Sequence, residues 1–294
     1  MPDLVALPTL EAKQQSLYEQ LRSAGRLMVA YSGGTDSAYL AYAAHQVLGD
    51  QMLAVIADSP SLSRAHLRDA VDFAESLGIP LRVIDTHELE HEEYIRNDSS
   101  RCFHCKDELF NVMAQAGEPL QFSTVAYGMN ADDRGDFRPG QKAAANHHVL
   151  APLAEARLTK EEIRTLAQRE GLRVWDKPAS ACLSSRIAYG LPVTRETLDA
   201  IEKGEDILLA MGFRQFRLRH HGELARIEIA REELAGMLSL AMFEKASSAL
   251  KQLGYKYVTL DLDGYRSGSM NEVLPLVQIE FKTPANAAAN EGAL

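Results

Sequence analysis

Short apolar runs alternate with amphipathic stretches through the first two thirds of the chain. Leu27 to Tyr31 is one such run, ending at Ser32-Gly33-Gly34, and Met52 to Ala57, Leu81 to Ile84 and Thr124 to Tyr127 follow it. Between the second and third, Leu67, Ala70, Val71, Ala74 and Leu77 share one helical face, which Gly78 and Pro80 bring to an end. Apolar strands separated by helices predict an α/β unit with a parallel sheet covered on both faces. Such sheets bind ligands beyond the carboxyl ends of their strands.

The pattern then changes. Thr159 and Glu162 form a capping box for a helix that buries Ile163, Leu166 and Ala167 and stops at Gly171. An irregular stretch, Trp175 to Pro192, follows. Thr194 caps a helix to about Met211, Gln215 to His220 and Leu224 to Ile229 alternate as paired strands, and His221-Gly222 is the expected turn. A helix from Glu232 to Leu253 and a strand from Tyr257 to Leu260 complete a smaller α+β unit. The expected division is 1–190 and 191–280, with a tail over 283–294 rich in Ala, Asn and Gly and expected to be disordered.

A length of 294 residues suffices for one large core and a smaller second one. No apolar run is long enough for a bilayer, and Met1 to Leu10 does not read as a signal peptide, so a cytoplasmic protein with no membrane partner is expected. The net charge of −10 argues against nucleic acid as the main partner. Three cysteines, Cys102, Cys105 and Cys182, are too few and odd in number for a disulfide framework, which leaves reduced thiols available for metal or chemistry.

Ser32-Gly33-Gly34-Thr35-Asp36-Ser37 lies between a predicted strand and a predicted helix. Glycines let backbone approach an anion, and the helix start offers free N–H groups. An ordinary Gly-rich turn is the plainer reading. The lysine of the common P-loop is missing, and the segment instead resembles the SGGxDS signature of the PP-loop ATP pyrophosphatases. That resemblance implies that Ser32, Gly33, Gly34, Asp36 and Ser37 hold the pyrophosphate end of ATP, with Asp36 also near Mg²⁺. Asp58 and Ser59, ending the second strand, and Gly128, after the fourth, are candidates for the rest of the nucleotide; a turn or cap explains Asp58 and Ser59 equally well.

Arg101-Cys102-Phe103-His104-Cys105-Lys106 contains a C-x-x-C, a spacing that serves zinc, redox couples and iron–sulfur clusters alike. Cys182 stands in Lys177-Pro178-Ala179-Ser180-Ala181-Cys182-Leu183-Ser184-Ser185-Arg186, among positive and hydroxyl groups. Taken with SGGxDS and Asp261-Leu262-Asp263-Gly264-Tyr265-Arg266-Ser267-Gly268-Ser269-Met270-Asn271, the chain resembles the LarE family from about residue 15 to about residue 275.

The resemblance implies a PP-loop fold (adenine nucleotide alpha hydrolase-like) and an ATP-dependent sulfur transferase of nickel-pincer nucleotide synthesis. Such enzymes adenylate a carboxylate of pyridinium-3,5-biscarboxylic acid mononucleotide and then exchange oxygen for sulfur. In one version a cysteine at the position of Cys182 gives up its own sulfur. In the other, three cysteines hold a [4Fe-4S] cluster that carries it, and Cys102, Cys105 and Cys182 match this version. Zinc on the three thiols and His104 is the alternative, since spacing does not choose the metal.

Arg217 and Arg219 share one strand face, with Phe216 and Leu218 turned to the core. The pattern alone reads as a solvated face. The family implies that these two and Arg266 bind the substrate phosphate. Asp133, Arg138, Arg186 and Glu228 are further candidates to touch substrate or Mg²⁺, although an ion pair with Arg226 accounts for Glu228. A homo-oligomer is implied, with sulfur-supplying and nickel-inserting partners left open. Competing readings are a tRNA-thiolating PP-loop enzyme, an amidating synthetase of the NAD or GMP type, and a cluster-binding regulator without ATP chemistry.

Overall fold

A computed structural model describes residues 8–134, 139–178, 181–266 and 270. Arg138, Ser180, the Ser267-Gly268-Ser269 segment, Asn271 and the tail over 283–294 lie outside the described residues. Among those described, seven strands form two sheets. The first holds β1 (Leu27–Ala30), β2 (Met52–Asp58), β3 (Leu81–Asp85) and β4 (Thr124–Tyr127) in the order β3-β2-β1-β4. Every pairing in it is parallel.

The helices of this unit are α1 (Leu10–Ala24), α2 (Thr35–Leu48), α3 (Arg64–Ser76), α4 (Glu92–Ile95), α5 (Arg101–Gly117), α6 (Pro139–Asn146), α7 (Pro152–Glu155) and α8 (Lys160–Arg169). One core, including Leu17, Val29, Tyr39, Leu40, Ile56, Phe73 and Ile163, fills one face of the sheet, and a second around Met28, Val55, Phe110 and Met113 fills the other. Burial of each large side chain contributes roughly 1.5–3 kcal/mol. β3 carries exposed Arg82 and Val83 because it is an edge strand. The capping box at Thr159 is present, and Ile163, Leu166 and Ala167 are buried as expected.

The second sheet pairs β5 (Phe216–His221) antiparallel with β6 (Leu224–Ile229), and β6 parallel with β7 (Tyr257–Leu260). It packs against α9 (Arg195–Ala210) and α11 (Leu240–Gln252), with α10 (Arg231–Leu234) between β6 and α11. Two expectations need correction. The hairpin turn lies one residue later than expected, because His221 still pairs with Leu224 and Gly222, at φ 69°, makes the bend. The single helix expected from Glu232 to Leu253 is broken, since Leu238 leaves helical geometry and Ser239 caps a fresh start by accepting from Met242 N at 3.2 Å.

A small core of Tyr94, Leu183, Ile187, Val193, Leu198 and Ile201 lies where the two sheets' helices and the irregular stretch meet. Among the described residues no helix is long and apolar enough to cross a membrane.

Candidate active site

The order β3-β2-β1-β4 reverses at β1, so the crevice beyond the ends of β1 and β4 is where a ligand fits. The Ser32–Ser37 turn stands at that point. Gly33 has φ 72°, and an added Cβ would lie 2.6 Å from Ala70 Cβ, so no other residue fits without displacing α3. Gly128, after β4, comes so close to α2 that a Cβ would meet Ser37 N at 2.8 Å. Ser37 Oγ accepts from Ser32 N at 3.1 Å and lies 2.9 Å from Ser32 Oγ, which closes the turn. α2 has Gly34 at its N-cap and no side-chain cap, so its first N–H groups remain available to an anion.

Two groups from elsewhere brace the turn from behind. His66 Nε2 donates to the Ser32 carbonyl at 2.7 Å, and Lys177 Nζ donates to the Gly33 carbonyl at 3.0 Å. Neither residue reads as part of the loop in sequence. Asp36 Oδ2 accepts from Asn130 Nδ2 at 3.1 Å. Burial pushes the Asp36 carboxyl above its ordinary range, and the nearby Asp133 charge adds to this. Asn130 is fully buried and also caps the turn that contains Asp133.

Asp58 and Ser59 are both engaged within the protein. Arg64 pairs with Asp58, and Ser59 donates to Glu88, a carboxylate that is 1% exposed. The Ser59 carbonyl also accepts from Arg64 Nη2 at 2.9 Å.

The thiols come from two distant segments. Cys102 and Cys105 lie in the first turns of α5, and Cys182 precedes a short turn over Leu183–Arg186. Burial pushes the Cys105 thiol well up, and the charges of Cys182, Glu88 and Cys102 push the same way. Cys102 keeps exposed surface, yet the protein around its sulfur raises its pKa too, followed by Cys182, while Arg101 opposes both. Cys105 thus senses the charge of both other thiols, and Cys102 that of Cys182. Cys182 Sγ lies 3.0 Å from Ser184 Oγ. Among the described residues no three His, Cys, Asp or Glu side chains are grouped as a ready-made site for a metal ion. His104, the expected fourth zinc donor, has Nε2 3.2 Å from Ser100 Oγ.

What draws the segments together is a set of buried polar groups that the sequence did not single out. Asn97, fully buried at φ 57°, donates from Nδ2 to the carbonyls of Ala188 and Leu191, each at 2.9 Å. Arg101 donates to Asn97 Oδ1 and, at 2.9 Å, to the Ser184 carbonyl. Tyr94 OH meets Ser61 Oγ at 2.5 Å, and Leu183 N donates to the Ser61 carbonyl at 2.7 Å. The Cys182 segment is therefore fastened both to the C-x-x-C helix and to the loop after β2.

On its other side that segment meets β5. Ala188 N donates to the His220 carbonyl at 3.0 Å, and Arg219 Nη1 to the Ser185 carbonyl at 3.2 Å. Arg186 is 3% exposed, pairs with Glu205 through Nε at 3.0 Å and Nη2 at 3.2 Å, and holds the Ala181 carbonyl at 2.6 Å. Arg219 pairs with Glu228 at 2.7 Å, and Glu228, fully buried, also pairs with Arg226 at 3.1 Å. Arg217 stacks over Tyr265 at 5.0 Å, and burial, then the Arg186 charge, lowers its pKa. Arg266 pairs with Asp263 at 2.7 Å and, with Gln215, Arg231 and Tyr265, lines a cavity of about 530 Å³. The strand carrying Arg217 and Arg219 thus runs beside the Cys182 segment, and Arg217 stacks on Tyr265, the neighbour of Arg266 in the chain.

Comparison with known proteins agrees with this architecture. The NAD synthase family matches residues 10–111, the part that carries the glycine turn and C-x-x-C. An uncharacterised Synechocystis protein is 38% identical over 265 residues, covering 90% of this chain and 99% of that protein. The pyridinium-3,5-bisthiocarboxylic acid mononucleotide synthase of Lactiplantibacillus plantarum is 32% identical over 274 residues, covering 93% and 99%. A tRNA-specific 2-thiouridylase of Microcystis aeruginosa is 29% identical over 219 residues, covering 62% and 61%. With its parallel sheet, its glycine turn at the switch point and a match along nearly the whole length of the synthase, the chain belongs to the LarE family of PP-loop, ATP-dependent sulfurtransferases.

Proposed function

We propose that this chain uses ATP to adenylate a carboxylate of pyridinium-3,5-biscarboxylic acid mononucleotide and then replaces oxygen with sulfur to give the thiocarboxylate. The observation that carries this reading is the fastening of Cys182 between the C-x-x-C helix and the arginine strand, at the same end of the fold as the glycine turn. In the first step a carboxylate oxygen attacks the α-phosphorus and pyrophosphate leaves. The N–H groups of the Gly33–Ser37 turn stabilise the charge that builds on the departing phosphates. Asp36 and Asp133 suit Mg²⁺, which takes one or two carboxylates together with substrate phosphates and would relieve the like-charge pressure on Asp36. In the second step a sulfur nucleophile attacks the acyl carbon and AMP leaves with the electron pair.

The donor set fits an iron–sulfur centre in type: three thiols sharing one electrostatic neighbourhood, with a fixed cation, Arg101, beside them. A [4Fe-4S] cluster held by Cys102, Cys105 and Cys182 would supply transferable sulfur at the iron that no cysteine ligates. Residues 1–190 would carry the nucleotide and the thiols, and 191–280 the substrate phosphate through Arg217 and Arg219. A cytoplasmic setting, where thiols stay reduced, suits such chemistry.

The test is anaerobic incubation with Mg-ATP, following AMP release and the mass of the pyridinium product. AMP formation that depends on the pyridinium mononucleotide, with oxygen-to-sulfur exchange in it, is expected. AMP formation driven by tRNA instead, or no AMP at all, would overturn the reading.

A further inference from the structure

Lys177 lies in the irregular stretch after α8, five positions before Cys182, yet its ammonium group reaches the glycine turn. Nζ donates to the Gly33 carbonyl at 3.0 Å and pairs with Asp69 of α3 at 2.5 Å. Two features set it apart from a structural ion pair. Asp69 has a second cation, Arg173, whose Nη2 lies 3.4 Å from Oδ1 and donates to the Asp69 carbonyl at 2.9 Å. Asp69 therefore keeps a partner when Lys177 moves. The Ser32 carbonyl is also braced independently of Lys177, since His66 holds it. His66 is kept below its ordinary pKa by burial and then by Lys177.

An ammonium on a flexible stem, within reach of a loop suited to phosphate, is a phosphate ligand by chemistry. We propose that Lys177 is a pyrophosphate-binding residue, which leaves Asp69 to Arg173 and donates to the terminal phosphates of ATP and to the pyrophosphate product. The inference rests on the nucleotide half of the proposed function and adds a residue of the Cys182 segment to it. Nucleotide occupancy would then be felt on the same stretch of chain that carries the reactive thiol.

Affinities of the full-length protein for Mg-ATP, inorganic pyrophosphate and AMP separate this role from a structural one. Lys177→Met should weaken Mg-ATP and pyrophosphate by about tenfold or more, the loss of one charge-assisted hydrogen bond, and leave AMP within about twofold. Lys177→Arg should recover most of that loss. Asp69→Asn frees the ammonium and should leave pyrophosphate binding equal or tighter. Unchanged pyrophosphate binding in Lys177→Met, equal losses for AMP and pyrophosphate, or weaker pyrophosphate binding in Asp69→Asn would overturn the proposal. None of these readings needs the pyridinium substrate, so a protein that passes them but transfers no sulfur would sink the proposed reaction and leave Lys177 in its role.

Discussion

Arg101 Nη1 donates to the Ser184 carbonyl at 2.9 Å across 83 positions of sequence. The guanidinium is 5% exposed, and although burial disfavours its charge, Cys182 and Cys102, with Tyr94 and Tyr189, raise its pKa. One side chain therefore fixes the C-x-x-C helix to the Cys182 turn and places a permanent cation between them. Arg101→Gln should lower the free energy of unfolding by about 2–3 kcal/mol, because the buried Asn97 and Ser184 oxygens lose a charged donor. Urea denaturation reads that loss. Cross-linking of Cys102 to Cys182 by a short dithiol-specific reagent should fall in the same variant, with Mg-ATP affinity retained.

The glycine turn and the end of β4 packed on it give a sharper test, because Gly33 and Gly128 act for different reasons. Gly33→Ala combines a left-handed φ with a 2.6 Å clash against Ala70, costing of the order of 1–3 kcal/mol in backbone strain before the clash is counted. Gly128→Ala has no unfavourable φ and acts only by pushing the end of β4 off Ser37 N. Both should reduce AMP formation by tenfold or more. Adding Ala70→Gly to Gly33→Ala should recover part of the loss and should do nothing for Gly128→Ala, as single-turnover AMP assays will show.

Glu228 binds two arginines in a fully buried site. Glu228→Gln leaves Arg219 and Arg226 with too little negative charge and should cost about 3–5 kcal/mol. The midpoint of urea unfolding checks this. A loss under 1 kcal/mol would show that the pair's charge is met elsewhere.

Asp36 sets a pH dependence. Its folded pKa lies above the ordinary 3.8, so the folded state holds a proton that the unfolded state has released. The contribution of this group to stability is complete below about pH 3.8 and is lost as pH rises through the raised folded value. Asp36→Asn keeps an acceptor for Asn130 and removes the buried charge. Its stability should match the parent protein in acid and exceed it near neutrality, while AMP formation collapses. Chemical denaturation across that pH range measures the divergence.

The two central strands, β1 and β2, were legible because parallel strands buried on both faces are almost wholly apolar, and the edge strands β3 and β4 because short apolar runs remain in them. Thr159 and Thr194 announced their helices through caps that the structure retains. The broken helix around Leu238 was not legible, since Ser239 reads equally well as a helix residue and as a cap. At the site, sequence pointed to the glycine turn, the thiols and the arginine strand. It did not point to Asn97, His66 or Asp69, single polar residues whose partners lie far along the chain. Arg217 and Arg219 looked like a solvated face, but the Cys182 segment covers that face, so Arg219 is buried. Partners that arrive only through folding leave no spacing to read.

The fate of sulfur is decided by intact-protein mass, with iron and sulfide content, before and after one anaerobic turnover with Mg-ATP and the pyridinium mononucleotide. The account predicts bound iron and sulfide at the start and an unchanged polypeptide mass at the end. An iron-free protein that loses the elements of hydrogen sulfide from Cys182 as product forms would contradict it.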